Sequence, residues 1–225
     1  MEISGSIAIL ATLVALLIVL GVYQSAGIGA ALAVAAVIAA LMTAQHVAAS
    51  SGLLKQWDRR PPPILPLVVA SIALTIMLAF SRVGSAMAGN LSFATLIVSQ
   101  MFRLPLELTM HHAAALGVMP IQMSYSGCNF DIITGATAGF LAVAAGFGQA
   151  PRWLLIGWNA LGSFLLLAII FIAVISMPTF AAFGPERLNT WIADPPFIWL
   201  PGVLVPGALL GHLLVWRKLF PGPSN

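Results

Sequence analysis

Charge is what this chain has least of: nine Lys and Arg and six Asp and Glu among 225 residues, 7% of the total. A soluble domain carries about a quarter charged residues, so this scarcity, with 60% hydrophobic residues and a mean hydropathy of +1.04, excludes one. Cysteine is almost absent too. Cys128 is alone, which rules out an intramolecular disulfide and every Cys-based zinc or haem-attachment spacing. HExxH, GxSxG, the Walker A loop and GxGxxG are all missing, so no common catalytic or nucleotide-binding motif assigns an activity, and whether the chain is an enzyme stays open. The start, MEISGSIAIL, lacks the basic segment of a cleavable signal peptide, and Met1 onward is expected to remain as the first span.

Long apolar runs fill the rest. A helix needs about 20 apolar residues to cross the hydrocarbon, and the stretches 5–23, 27–46, 64–82, 130–149, 153–176 and 197–216 meet that requirement. Pro201 and Pro206 fall near the start of the last, where a first turn or a kink accommodates them. The expected fold is one all-α integral membrane domain over 1–225, with six transmembrane helices and a re-entrant or kinked polar helical insert at about 86–129. The alternative is seven crossings. Six place Lys55, Arg59, Arg60, Arg152, Arg217 and Lys218 on the inner face, following the excess of Lys and Arg in cytoplasmic loops, with both termini cytoplasmic and the insert entering from outside. Seven divide the bases evenly between the faces. The bases lie at the ends of apolar runs, as topogenic anchors do, so the expected partner is the lipid bilayer and not nucleic acid. Trp57, Trp153, Trp199 and Trp216 fall at span ends as interfacial anchors. Gly135, Gly139, Ala142 and Gly146 form a small-residue stripe suited to close helix packing.

Three of the fifteen charges, Arg103, Glu107 and Asp131, sit together between the apolar runs, in the stretch from Gln100 to Thr134. Ionisable groups at membrane depth are costly, and a group of them marks a candidate site. Pro105 suits a helix start and Gly117 with Pro120 a helix end, which predicts one short helix over 105–117. Glu107 and His111, one turn apart, then share a face, with Arg103 folding back towards Glu107. Asn129 and Asp131 open the next helix, either as cap and first-turn residues or as ligand contacts, and Ser126 is a further cap candidate. The candidate ligand-binding set is therefore Arg103, Glu107, His111, Asn129 and Asp131. Glu107, His111 and Asp131 are the conceivable zinc or iron ligands; Met101, Met110, Met119 and Met123 with His111 could suit copper(I), although methionine also fills apolar gaps. His46 and His212, at span ends, are expected near the inner face and away from the insert. A haem b between them is a further option.

The stretches FRLPLELTMHHAAALGVMPIQMSYSGCNFDIITG, SMPT and PFIWLPGVLVPGALLGHLLVWRKL, within residues 100–220, resemble a group of uncharacterised bacterial polytopic inner-membrane proteins. These carry an FRxxxE element, then N-F/L-D-I-x-x-G, then a last helix with Pro and Trp that ends in a basic pair. The resemblance implies a bacterial inner-membrane setting, with Arg103, Glu107, Asn129 and Asp131 at the matching positions, and no activity. Three functions follow as expectations: binding or transport of a small polar or anionic molecule at the insert, with Arg103 as the fixed charge; an accessory subunit that docks membrane partner subunits through the insert and the 177–196 loop; and an intramembrane metal-dependent enzyme.

Overall fold

A computed structural model describes residues 2–221. All its regular structure is helical, with no strand among the described residues. Three helices are long and apolar enough to cross a membrane: α1 (Ile3–Ser50), α7 (Arg152–Ile175) and the last, Leu200–Leu219, whose regular α part is α8 (Val205–Leu219). A fourth joins them if α2 (Ile64–Phe80) and α3 (Arg82–Asn90), bent by 63°, count as one span. Between these lie α4 (Phe93–Val98), α5 (Arg103–Ala115) and α6 (Ile132–Gly146).

At 48 residues α1 would be about 70 Å long if straight, twice the thickness of a bilayer. It breaks at Gly27, where φ of 82° and ψ of 177° are open only to a residue without a Cβ. Ile7, Leu10 and Ala11 share one buried cluster with Ala49, whereas Val22 and Ala31 share another. The two arms therefore fold back on each other, matching the runs expected at 5–23 and 27–46.

The helix expected at 105–117 starts earlier. Helix α4, a 3-10 segment Ser99–Phe102 and α5 follow one another without an extended residue, giving a rod about 34 Å long from Phe93 to Ala115. Pro105 sits in the first turn of α5, where its missing N–H costs little. The far end stops as expected: Gly117 has φ of 71°, and the N–H groups of Gly117 and Val118 donate back to the carbonyls of Ala114 and Ala113. Helix α6 runs antiparallel to the rod. Gly135 faces Arg103 and Leu104, Gly139 faces Met101, and Gly146 faces Ala94, so the small-residue stripe is the packing seam. A Cβ on Gly135 would collide with the Leu104 backbone.

The two ends of the bundle do not carry the charges as six crossings require. Leu54 packs with Ile64 at the start of α2. Arg217 donates to the carbonyl of Ala79 at the other end of that helix, and Lys218 to those of Ala88 and Gly89. Lys55 pairs with Asp194 at 2.5 Å, so Lys55, the 116–131 turn and the 177–199 connection occupy the first end. Arg152, Arg217 and Lys218 occupy the second. The expected shared inner face of these bases is therefore split. The insert's turn lies with the 51–63 loop and not opposite it. The chain ends separate as well, Ile3 packing in the first cluster and Leu219 in the second. The outer surface is apolar, with Phe140, Phe147 and Trp153 more than 70% exposed, as lipid-facing side chains are.

Candidate functional site

A belt of polar side chains lies between the two apolar clusters. Arg103, in the first turn of α5, is flanked by Leu96 and Ile97 of the second cluster and by Phe102 and Leu106 of the first. It is 1% exposed, Glu107 2%, Asn129 1% and Asp131 5%. These four of the five expected residues meet.

Their pairing differs from the expectation. Arg103 turns to Asp131 and not to Glu107, its Nε donating to Oδ2 at 2.7 Å and its Nη2 to Oδ1. This fork on a carboxylate is the strong geometry for a guanidinium. Asp131 stands immediately before α6, yet its side chain caps nothing; Asn129 takes over the turn by accepting the Asp131 N–H on Oδ1 at 3.1 Å. The Asn129 amide donates to Glu107 Oε2 at 2.8 Å and to the Met123 carbonyl at 3.1 Å. Asn129 thus serves both the turn and the cluster, which the sequence offered as alternatives.

His111 stays outside. The 124–128 turn folds back over α5, so the His111 ring stacks on Tyr125 at 4.3 Å and its Nδ1 meets Ser126 Oγ at 3.0 Å. Ser126 therefore engages His111 instead of capping α6. The histidine of the belt is His212, expected well away from the insert. Its Nε2 is 2.7 Å from Arg103 Nη1, and its Nδ1 is 2.7 Å from Asn159 Oδ1. A guanidinium only donates, so Nε2 accepts, and the proton belongs on Nδ1, facing Asn159. Asn159 closes the loop by donating to the His212 carbonyl at 3.2 Å. Gly162 makes room for the ring, because a Cβ there would stand 2.5 Å from His212 Cε1. Gln100 Oε1, 3.5 Å from Arg103 Nη1, completes the surroundings.

His212 was expected elsewhere, and Asn159 and Gln100 were not named as site residues. Asn159 is a lone amide in an otherwise apolar span, and a polar residue there faces the bundle interior.

Metal and haem ligation find no support in this arrangement. Among the described residues no three His, Cys, Asp or Glu converge. Glu107, His111 and Asp131 each have a different partner, and both ring nitrogens of His212 are engaged in hydrogen bonds. Met110, Met119 and Met123 are buried in the first apolar cluster, and Met101 covers Gly139.

Towards the first end the belt borders a cavity of about 70 Å³. Arg103, Glu107, Asn129 and Asp131 border it at one edge of a lining that is otherwise almost wholly apolar and includes Leu166, Ile169, Leu200 and Leu204. Two of the residues that line it keep an acceptor without a hydrogen bond: Glu107, bonded only through Oε2, and Asn189, whose Oδ1 is buried and has none. No family model, curated protein or solved structure matches the chain.

Proposed function

We propose that this chain is a multi-pass protein of the bacterial inner membrane that binds or carries a small polar molecule in the cavity beside Glu107. One observation carries the reading: a buried cluster of two carboxylates and a guanidinium borders a cavity, within a bundle whose outer surface is apolar. A cluster that served only to lock helices together would need no such space. An anionic ligand, for which Arg103 would be the fixed charge, has to compete with Asp131 for the guanidinium, so a polar molecule recognised through Glu107 fits better.

Seven crossings fit this reading better than six: the two arms of α1, then α2, the rod Phe93–Ala115, α6, α7 and the last helix, alternating between the two ends. The bacterial setting rests on the motif resemblance alone. The 177–199 connection buries Trp191, Ile192 and Ala193 against the chain's own core, which gives less support to docking of a partner subunit there.

A thermal-shift screen of cationic, neutral and anionic small molecules against the purified chain tests the proposal. At least one should raise the melting temperature of the wild type and act more weakly on Glu107→Gln or Arg103→Ala. If both variants fold and no molecule stabilises the wild type, the proposal fails.

A further inference from the structure

The geometry points to the chemical class of that molecule: a small cation with N–H donors, ammonium or a short alkylammonium, its head on the Glu107 carboxylate. The inference rests on the proposed binding function and narrows it. Only two ion pairs join described residues, Lys55 with Asp194 and Arg103 with Asp131, so Glu107 is a buried carboxylate with no base in direct contact among the described residues. Among the described residues its sole hydrogen bond comes from the neutral amide of Asn129. A buried charge is retained where it is paired, and the one guanidinium nearby is already held in a fork by Asp131.

On the cavity side Glu107 Oε1 accepts no hydrogen bond from the described residues, and a free carboxylate oxygen selects a ligand head that donates. Leu166, Ile169, Leu200 and Leu204 in the rest of the lining accept only an apolar body. Size limits that body. The cavity of about 70 Å³ is roughly half the 150 Å³ that accommodates benzene, which leaves space for an ammonium head with a few carbons at most.

Calorimetric titration in an amine-free buffer tests this with four probes: ammonium, ethylammonium, ethanol and acetate. Ammonium or ethylammonium should bind the wild type, at least tenfold more weakly to Glu107→Gln, while ethanol and acetate give no saturable signal. Gln keeps an acceptor for Asn129, and circular dichroism checks that the variant folds. Ala208→Leu, which places a larger side chain in the cavity from the last helix, should abolish cation binding on its own. Acetate binding that depends on Arg103 would overturn the cation assignment and leave the proposed function intact. The same holds if a larger polar molecule binds and neither cation does. Cation binding that is unchanged by Glu107→Gln also overturns it. If Glu107 merely carries its own proton, no probe binds and Glu107→Gln leaves the melt unchanged; with a blank thermal-shift screen, that result ends both readings.

Discussion

Replacing Asp131 by Asn preserves shape and removes one charge, leaving Arg103, 1% exposed to solvent, without the carboxylate it grips. Breaking a buried pair by removing one partner costs about 3–5 kcal/mol. For a chain of this size each kcal/mol moves the melting temperature by about 2–4 °C, so Asp131→Asn should melt roughly 6–20 °C below the wild type in a mild detergent. The double variant Arg103→Met with Asp131→Leu removes both charges and should recover most of that loss, because replacing a buried pair with apolar residues is often neutral or better. With Arg103→Met and Asp131→Leu also made singly, the coupling from that four-corner cycle is at least about 2 kcal/mol. A single variant that melts within 2 °C of the wild type, or a double variant that is the sum of its singles, would refute the reasoning, since it means the guanidinium reaches water.

His212→Ala leaves Arg103 Nη1 and the Asn159 side chain without partners, and should lower stability by about 1–3 kcal/mol in thermal melts, with partial rescue by Gln. His111→Ala loses a contact at the rim and should change stability by less than about 1 kcal/mol and ligand binding not at all. Gly135→Leu drives a side chain into the Leu104 backbone, so the rod and α6 should separate, read as a loss of about 1–3 kcal/mol or of folded protein on size exclusion. Lys55→Ala breaks a surface pair whose side chains are 51% and 41% exposed and should cost less than about 1 kcal/mol. With Cys128 replaced by Ser, Lys55→Cys and Lys218→Cys should react with an impermeant maleimide from opposite sides of sealed vesicles. Labelling from one side contradicts seven crossings.

The apolar runs were legible because hydrophobic length is a local property: all six coincide with described helices or helix arms to within four residues, and the kink at Gly27 fell where two runs met. The helix end at Gly117 and the small-residue seam of α6 were legible for the same reason. What the sequence hid is relational. Arg103 could reach Glu107 along its own helix, and local spacing favours that pair; its actual partner, Asp131, is brought in by the antiparallel return of α6. His212 was assigned to a helix end because its distance from the basic pair was counted along the chain. Its helix instead crosses Arg103 partway along its length, where Gly162 lets the ring approach. His111 was drawn into the cluster by its spacing from Glu107, and nothing local announced that the 124–128 turn would stack Tyr125 on it. The charge rule grouped Lys55 with Arg152, Arg217 and Lys218, whereas the fold holds Lys55 at one end of the bundle and the other three at the opposite end.

Native mass spectrometry of the intact chain, released from mild detergent after purification from its own membrane, tests most directly whether the cavity beside Glu107 holds a ligand. The wild type should carry a low-mass adduct that Ala208→Leu lacks and Glu107→Gln retains only weakly, with all three proteins equally folded. A bare chain mass for the wild type, or the same adduct on all three, contradicts a binding site between Glu107 and the last helix.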